Sequence, residues 1–245
     1  MSRLTGNGAG ARLSLPEVTI VSINGKDPEK SVAAIRHSSR EIDFGRKLLI
    51  TNRPMEAEIN EGIEVQIEEG LKTLLDYNRF CLLELHDRIE TEFCLIVQPD
   101  GFVVNPWLWS DFFLNFDYIG APWNYPRSMD ALQLSGQQPN SLPSPIVGNG
   151  GFSLRSKRLL KLVASLNPEP TLITEDCVIS VKIRRNLERE GMRFAPVRIA
   201  QQFSLEWHID QFSVIGNHFG FHGRFNYFEP YLKITGMDRD SRGLT

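Results

Sequence analysis

Apolar residues in this chain fall into two kinds of run. Some are short and unbroken, and others recur at helical spacing between them. Val18 to Ile23 reads as a first strand, Lys47 to Thr51 as a second and Ile63 to Ile67 as a third, after a loop at Asn52, Arg53 and Pro54. Asp27 followed by Pro28 supplies an N-cap and a first-turn proline for a helix running to about Ser38. From Glu69 to Ile89 the residues Leu71, Leu74, Leu75, Phe80, Leu82, Leu83 and Leu85 keep a helical period. Strands alternating with helices predict a parallel sheet.

Phe93, Leu95, Ile96 and Val97 have the branching of a strand covered on both faces, and Gln98-Pro99-Asp100-Gly101 cannot continue it. Asp100 therefore stands at a strand's carboxyl end, where ligands bind in open α/β sheets. Its carboxylate either serves a Pro-Asp-Gly turn or anchors a hard divalent cation against phosphate oxygens.

Beyond it, Trp107 to Phe116 predicts a short amphipathic helix, and Asp117 to Trp123 a turn in which Tyr118 and Trp123 either line a pocket or fill core. Asn124 to Pro145 is rich in Pro, Ser, Gln and Asn and lacks periodicity, so it is expected to be a long loop, a lid or an exposed insertion. Gly148-Asn149-Gly150-Gly151 puts backbone against a close neighbour, either a ligand or another strand. It is neither a Walker A loop nor a dinucleotide fingerprint. Glu175 and Asp176 open a helical segment that stops at Gly191. Acids there serve the helix dipole or, beside a glycine-rich cleft, a general base. His218 and His222 are four apart but glycine-flanked, which argues against one helix face. A lone histidine there is a hydrogen-bonded residue or completes a metal shell with Asp100.

A chain of 245 residues with a net charge of −3 and no low-complexity block is expected to form one soluble α/β domain. Without a basic excess, no nucleic-acid partner is expected; Lys182, Arg184 and Arg185 read as a solvated helix face or an anion contact, and Arg155, Arg184 and Arg185 as candidates for phosphate or acidic-acceptor contacts. Cys81, Cys94 and Cys177 are odd in number and set among apolar residues, as reduced core thiols are. The first residues carry no run long enough for a signal peptide and no window approaches a transmembrane segment, so a cytoplasmic protein is expected.

The runs YNRFCLLELHDRIETEFCLIVQPDGFVVNP, WLWSDFFLNFDYIGAPW, VGNGGFSLRS, TEDCVIS, FAPVRIAQQFSLE and FGFHG stand in this order from Tyr77 to Gly223. Together they resemble a family of largely uncharacterised bacterial and phage-associated domains allied to the GT-A glycosyltransferases. The resemblance covers roughly Val18 to Gly223. It implies a single GT-A-like domain in which a Rossmann-like βαβ nucleotide-sugar half (17–105) is fused to an acceptor half (106–230) around a mostly parallel sheet. A flexible segment (1–16) precedes it and a tail (231–245) follows.

The resemblance also implies roles. Asp100 matches the last acid of an Asp-X-Asp motif that holds Mn²⁺ or Mg²⁺ against the donor diphosphate, with Gln98 where the first acid would be. His222 matches the C-terminal metal ligand. Val21, Ser22 and Asn24, with Gln98 and Gly101, fall on the donor side, and Gly150, Gly151 and Trp123 on the acceptor side. Asp176, of the Glu175-Asp176 pair, matches the catalytic base of an inverting transfer. The implied partners are a UDP- or GDP-linked sugar and a carbohydrate or glycoconjugate acceptor, as in surface polysaccharide assembly at the inner face of a membrane. Gln98 also leaves open a degenerate carbohydrate- or partner-binding module, and the same residues could serve a metal-dependent nucleotide-sugar hydrolase.

Overall fold

The structure is a computed structural model that describes residues 4–5, 12–138, 141–142, 144–211, 213–214, 216–223 and 228–237. Its frame is a seven-stranded sheet: β1 (Leu4–Thr5), β2 (Arg12–Ile23), β3 (Ile42–Thr51), β4 (Glu64–Ile67), β5 (Phe93–Ile96), β6 (Tyr118–Ile119) and β7 (Ser153–Ser156). The order is β4-β3-β2-β5-β7-β6, with β1 pairing antiparallel to β2. β2 runs parallel to β3 and β5, and β3 parallel to β4. β7 lies antiparallel to β5 and β6.

Side-chain alternation assigns the two faces. Ile20, Leu49 and Leu95 enter one core with Val32 and Ile35 of helix α1 (Pro28–Ser38). Val21, Leu48, Ile50, Cys94 and Ile96 face the opposite core, against Phe80, Cys81, Leu85 and Leu160. Each such side chain contributes about 1.5–3 kcal/mol by leaving water, so a one-residue slip of β2 would forfeit both faces.

Two helical segments covering this sheet carry π-helical turns. α2 (Leu74–Arg79) runs through Phe80–Glu84 into α3 (Leu85–Arg88). After α4 (Tyr125–Leu134) and α5 (Lys157–Leu166), the short α6 (Glu175–Cys177) runs through Val178–Lys182 to α7 (Arg184–Arg189). α8 (Val197–Phe203) then leads into a parallel pair, β8 (Ser204–Leu205) and β9 (Gly220–Phe221), and α9 (Glu229–Leu232) follows.

Several expectations need correction. β2 begins at Arg12 inside the segment expected to be flexible, and Leu15 is fully buried. Trp107 to Phe116 forms two 3₁₀ turns, Pro106–Leu108 and Asp111–Asn115, because Phe113 is drawn into the core while Trp107 stays 69% exposed. The region expected as a loop, Asn124 to Pro145, contains α4. Asn124 Oδ1 caps it by accepting the Arg127 amide, and Ala131 and Leu132 pack beside Trp123; residues 139, 140 and 143 lie outside the described set. The expected tail from 231 is partly structural, since Leu232 and Met237 are buried and the Thr235 hydroxyl donates to the Pro99 carbonyl. Cys81, Cys94 and Cys177 are free and buried.

Candidate functional site

Val97 leaves β5 into a tight turn in which Gln98 and Gly101 exchange both backbone hydrogen bonds, at 2.8 and 2.9 Å. Proline and aspartate occupy its two central positions, so Asp100 is displayed at the sheet's carboxyl edge. β9 docks beside this turn: Phe221 N–H reaches the Phe102 carbonyl and Gly223 N–H the Asp100 carbonyl. β8 and β9 are parallel, so the residues just beyond them, Glu206 and His222, emerge side by side.

The result is a convergence of polar side chains from distant segments. His222 Nε2 lies 3.3 Å from Gln98 Oε1 and 3.8 Å from Asp100 Oδ1, and Nδ1 lies 3.3 Å from Glu206 Oε1. Gln98 Nε2 donates to the Tyr77 hydroxyl at 3.1 Å. Burial alone would push the His222 imidazole down, but the hydrogen bond to Glu206 and the charges of Asp100, Glu206 and Asp176 outweigh it and raise the pKa to about 9.

Glycines make room for this cluster. A Cβ on Gly151 would fall 2.1 Å from His222 Nε2 and 2.8 Å from Gln98 Oε1. A Cβ on Gly150 would fall 2.0 Å from Glu175 Oε1. The loop is held by Asn149, whose positive φ of 69° lets Oδ1 accept the Phe152 amide while its carbonyl accepts from the Tyr118 hydroxyl.

On the other side of the Gly150–Gly151 backbone stand the two acids of α6. The Asp176 carboxylate accepts from the amides of Gly150 and Cys177, at 2.9 and 2.8 Å. Glu175 is engaged differently: Arg155, fully buried in β7, grips it in a bidentate pair at 2.7 and 3.0 Å and stacks over the Tyr118 ring. Burial presses the Glu175 carboxyl pKa up, and Arg155 opposes this. The Glu175 amide donates to Asn78 Oδ1, tying α6 to α2. Both acids and Tyr77 precede π-helical turns, which are frequent at functional sites.

A cavity of about 270 Å³ adjoins the cluster, lined by Asn24, Lys26, Asp27, Tyr77, Gln98 and Asp100 among others. Asn24 reaches it as a scaffold residue. Its Oδ1 accepts the Lys26 and Asp27 amides, and its Nδ2 donates to the Asp27 carbonyl and Ser31 hydroxyl. Asp27, in the N-cap position of α1, makes no capping hydrogen bond through its side chain. A larger cavity of about 370 Å³ lies at the opposite edge of the sheet beside Glu92, Asp117 and Lys157, away from these groups.

The structure thus brings together Gln98, Asp100, Gly101, Gly150, Gly151, Glu175, Asp176 and His222, with Asn24 at the neighbouring cavity. Val21 and Ser22 are fully buried within β2, and Trp123 sits in a separate core with Arg127 over its ring. Tyr77 and Glu206 were not singled out from the sequence, because each acts through a partner at least 16 residues away; Arg155, expected as a phosphate or acidic-acceptor contact, is instead buried and committed to Glu175.

Among the described residues no three His, Cys, Asp or Glu side chains are grouped to hold a metal. The donors that do converge are an amide oxygen, a carboxylate oxygen and an imidazole nitrogen. Adjacent ligands around an octahedral ion with bonds of about 2.1–2.2 Å lie about 3.0–3.1 Å apart, so the 3.3 Å spacing is close to that and the 3.8 Å one closes by a small side-chain shift of Asp100. An outer carboxylate on the far ring nitrogen is the usual partner of a metal-bound histidine. Gln98, Asp100 and His222 therefore fit a divalent cation, and the imidazole favours a manganese-like ion over magnesium.

Residues 63–222 match the family described as "Protein of unknown function (DUF5672)", and the chain belongs to that family. No curated protein matches the sequence. Among solved structures, the galactosyltransferase LgtC in complex with donor and acceptor sugar analogues aligns with a TM-score of 0.53 at 11% identity, over 90% of this chain and 96% of that one. An active-site mutant of LgtC aligns with a TM-score of 0.50 at 13% identity, over 83% and 86%. At such identities the likeness is one of fold: a mixed α/β domain of the GT-A glycosyltransferase type. No helix among the described residues is long and apolar enough to cross a membrane.

Proposed function

For this member of the DUF5672 family we propose a glycosyltransferase that moves a sugar from a nucleoside diphosphate donor to an acceptor hydroxyl. The observation that carries this reading is the convergence of Gln98, Asp100 and His222 with Asp176 around the Gly150–Gly151 backbone, beside an open cavity. The donor's nucleotide occupies the cavity between Asn24, Lys26 and Tyr77. Gly150 and Gly151, lacking Cβ atoms, let Glu175 and His222 close on the loop, which forms the acceptor-side wall of the cluster.

A divalent cation held by Gln98, Asp100 and His222 would neutralise charge on the diphosphate. Asp176 is fixed in place by two amides, and serves as the general base. It takes the proton of the acceptor hydroxyl while that oxygen bonds to the anomeric carbon, and the carbon–oxygen bond to the diphosphate breaks with its electron pair leaving on the nucleotide. That single displacement inverts the anomeric centre. Glu175 is committed to Arg155, and its part is to anchor α6 so that Asp176 faces Gly150. Three free thiols fit a reducing, cytoplasmic setting, where activated donors for surface polysaccharides are used.

The test is thermal unfolding against UDP- and GDP-sugars with and without Mn²⁺, followed by nucleotide release with candidate sugar acceptors. A Mn²⁺-dependent rise in Tm with one nucleotide class and acceptor-dependent release supports the transferase. Release at the same rate without acceptor would identify a hydrolase instead, and binding without turnover a carbohydrate- or partner-binding module.

A further inference from the structure

Gln98 raises a problem that an acid in its place would not. A carboxylate presents an oxygen whichever way it is turned, whereas an amide presents an oxygen on one side and two N–H donors on the other. An amide ligates a cation only if something fixes its orientation.

We propose that Tyr77 is a positioning residue that fixes the Gln98 amide, so that its carbonyl oxygen faces the cation position beside Asp100 and His222; this rests on the metal reading above. The Tyr77 hydroxyl oxygen accepts Gln98 Nε2–H at 3.1 Å, which leaves Oε1 turned toward His222 Nε2 at 3.3 Å. Tyr77 is itself held. Its ring packs against the core formed by Val21, Ile96 and Phe80, one turn before the buried Cys81. The π-helical turn that begins at Phe80 follows directly, so backbone and ring are both constrained. Glu206 performs the matching task on His222 from the opposite side, engaging Nδ1 and leaving Nε2 toward the cation position. With a cation bound the cluster would use two neutral donors and one carboxylate, and each neutral donor has an outer residue that sets which atom it presents.

The proposal separates orientation from general support by one substitution. In a Gln98→Glu protein the two oxygens are equivalent, and Tyr77 has nothing left to orient. Mn²⁺ binding is read from the free-ion EPR signal, with Mn²⁺ alone and with Mn²⁺ plus UDP, which needs no knowledge of donor sugar or acceptor. Tyr77→Phe removes one oxygen and keeps the ring, and its thermal unfolding is recorded alongside.

Tyr77→Phe should raise the Mn²⁺ Kd roughly tenfold or more in the wild-type background, the usual scale for losing an outer-shell partner. In the Gln98→Glu background the same change should cost less than about twofold, because the carboxylate needs no guide. Equal losses in the two backgrounds, or no loss with Gln98 present, would overturn the positioning role. Asp100→Ala and His222→Ala keep the two readings apart. If they abolish Mn²⁺ binding while Tyr77→Phe does not change it, only the Tyr77 inference fails; if neither changes it, or the wild-type chain binds no Mn²⁺, the metal reading fails and takes the inference with it.

Discussion

The amide of Gly150 donates to the Asp176 carboxylate at 2.9 Å, joining the glycine-rich loop to a helix start 26 residues later. A second amide, from Cys177, holds the other carboxylate oxygen. Both amides fix the plane of the carboxylate, which is what a base acting on a bound hydroxyl requires.

Asp176→Asn should therefore lose both functions of the carboxylate. Turnover should fall by about 10²–10⁴ if proton removal is its role, while Mn²⁺-dependent nucleotide binding persists. Nδ2 would also oppose one of the two amide donors, costing about 1–3 kcal/mol in urea unfolding. Turnover within a few-fold of wild type would remove Asp176 from the base role.

Arg155 and Glu175 form a bidentate pair with side chains 0% and 3% exposed, so removing one partner strands a charge in the core. Arg155→Met or Glu175→Leu should cost about 3–5 kcal/mol, and the double variant Arg155→Met/Glu175→Leu markedly less than the two singles combined. Urea denaturation of the four proteins gives the cycle. Additive losses would mean that the two residues act independently.

Gly151→Ala tests the space around His222. Its Cβ would intrude to 2.1 Å from Nε2, so the imidazole must swing away from Gln98 and Asp100. Mn²⁺ affinity should drop at least about tenfold by the same EPR titration, with a smaller effect on the unfolding midpoint. Undiminished affinity would show that the cation sits elsewhere.

Asp117 gives the protein an acid-sensitive joint. Burial opposes its ionisation, but Arg158, the Ser156 hydroxyl and the Arg193 amide outweigh this and hold its pKa below the ordinary aspartate value. A carboxyl depressed in the folded state adds stability above its unfolded pKa of about 3.9 and loses it as pH falls through the lower folded value. Asp117→Asn should be less stable at pH 7 and show a flatter decline between about pH 5 and 2, measured by unfolding at a series of pH values. Parallel pH curves for the two proteins would rule out this linkage.

The apolar pattern was enough to locate most strands, because a buried strand needs consecutive apolar residues whatever packs on it. Val18 to Ile23 and Phe93 to Ile96 lie in β2 and β5, and the polar turn at Gln98 to Gly101 ends the latter. The parallel frame followed from strands alternating with helices. α4 was hidden because few of its residues face the core, although Asn124 ahead of Tyr125-Pro126 was a helix start open to reading. The two 3₁₀ turns were read as one helix because aromatic spacing in a loop can imitate helical spacing.

Sequence by itself determined where single chemical groups stand relative to their own elements: Asp100 past a strand end, glycines 150 and 151 before β7, and Asp176 at a helix start. Those placements depend on local backbone preference and burial, which act over a few residues. Only the tertiary structure decided the partnerships: Tyr77 with Gln98, Glu206 with His222, Arg155 with Glu175 and Gly150 with Asp176. Such pairs depend on how β5, β7 and β9 are brought together by crossovers, and a polar side chain carries no periodic signal of the distant group that will satisfy it.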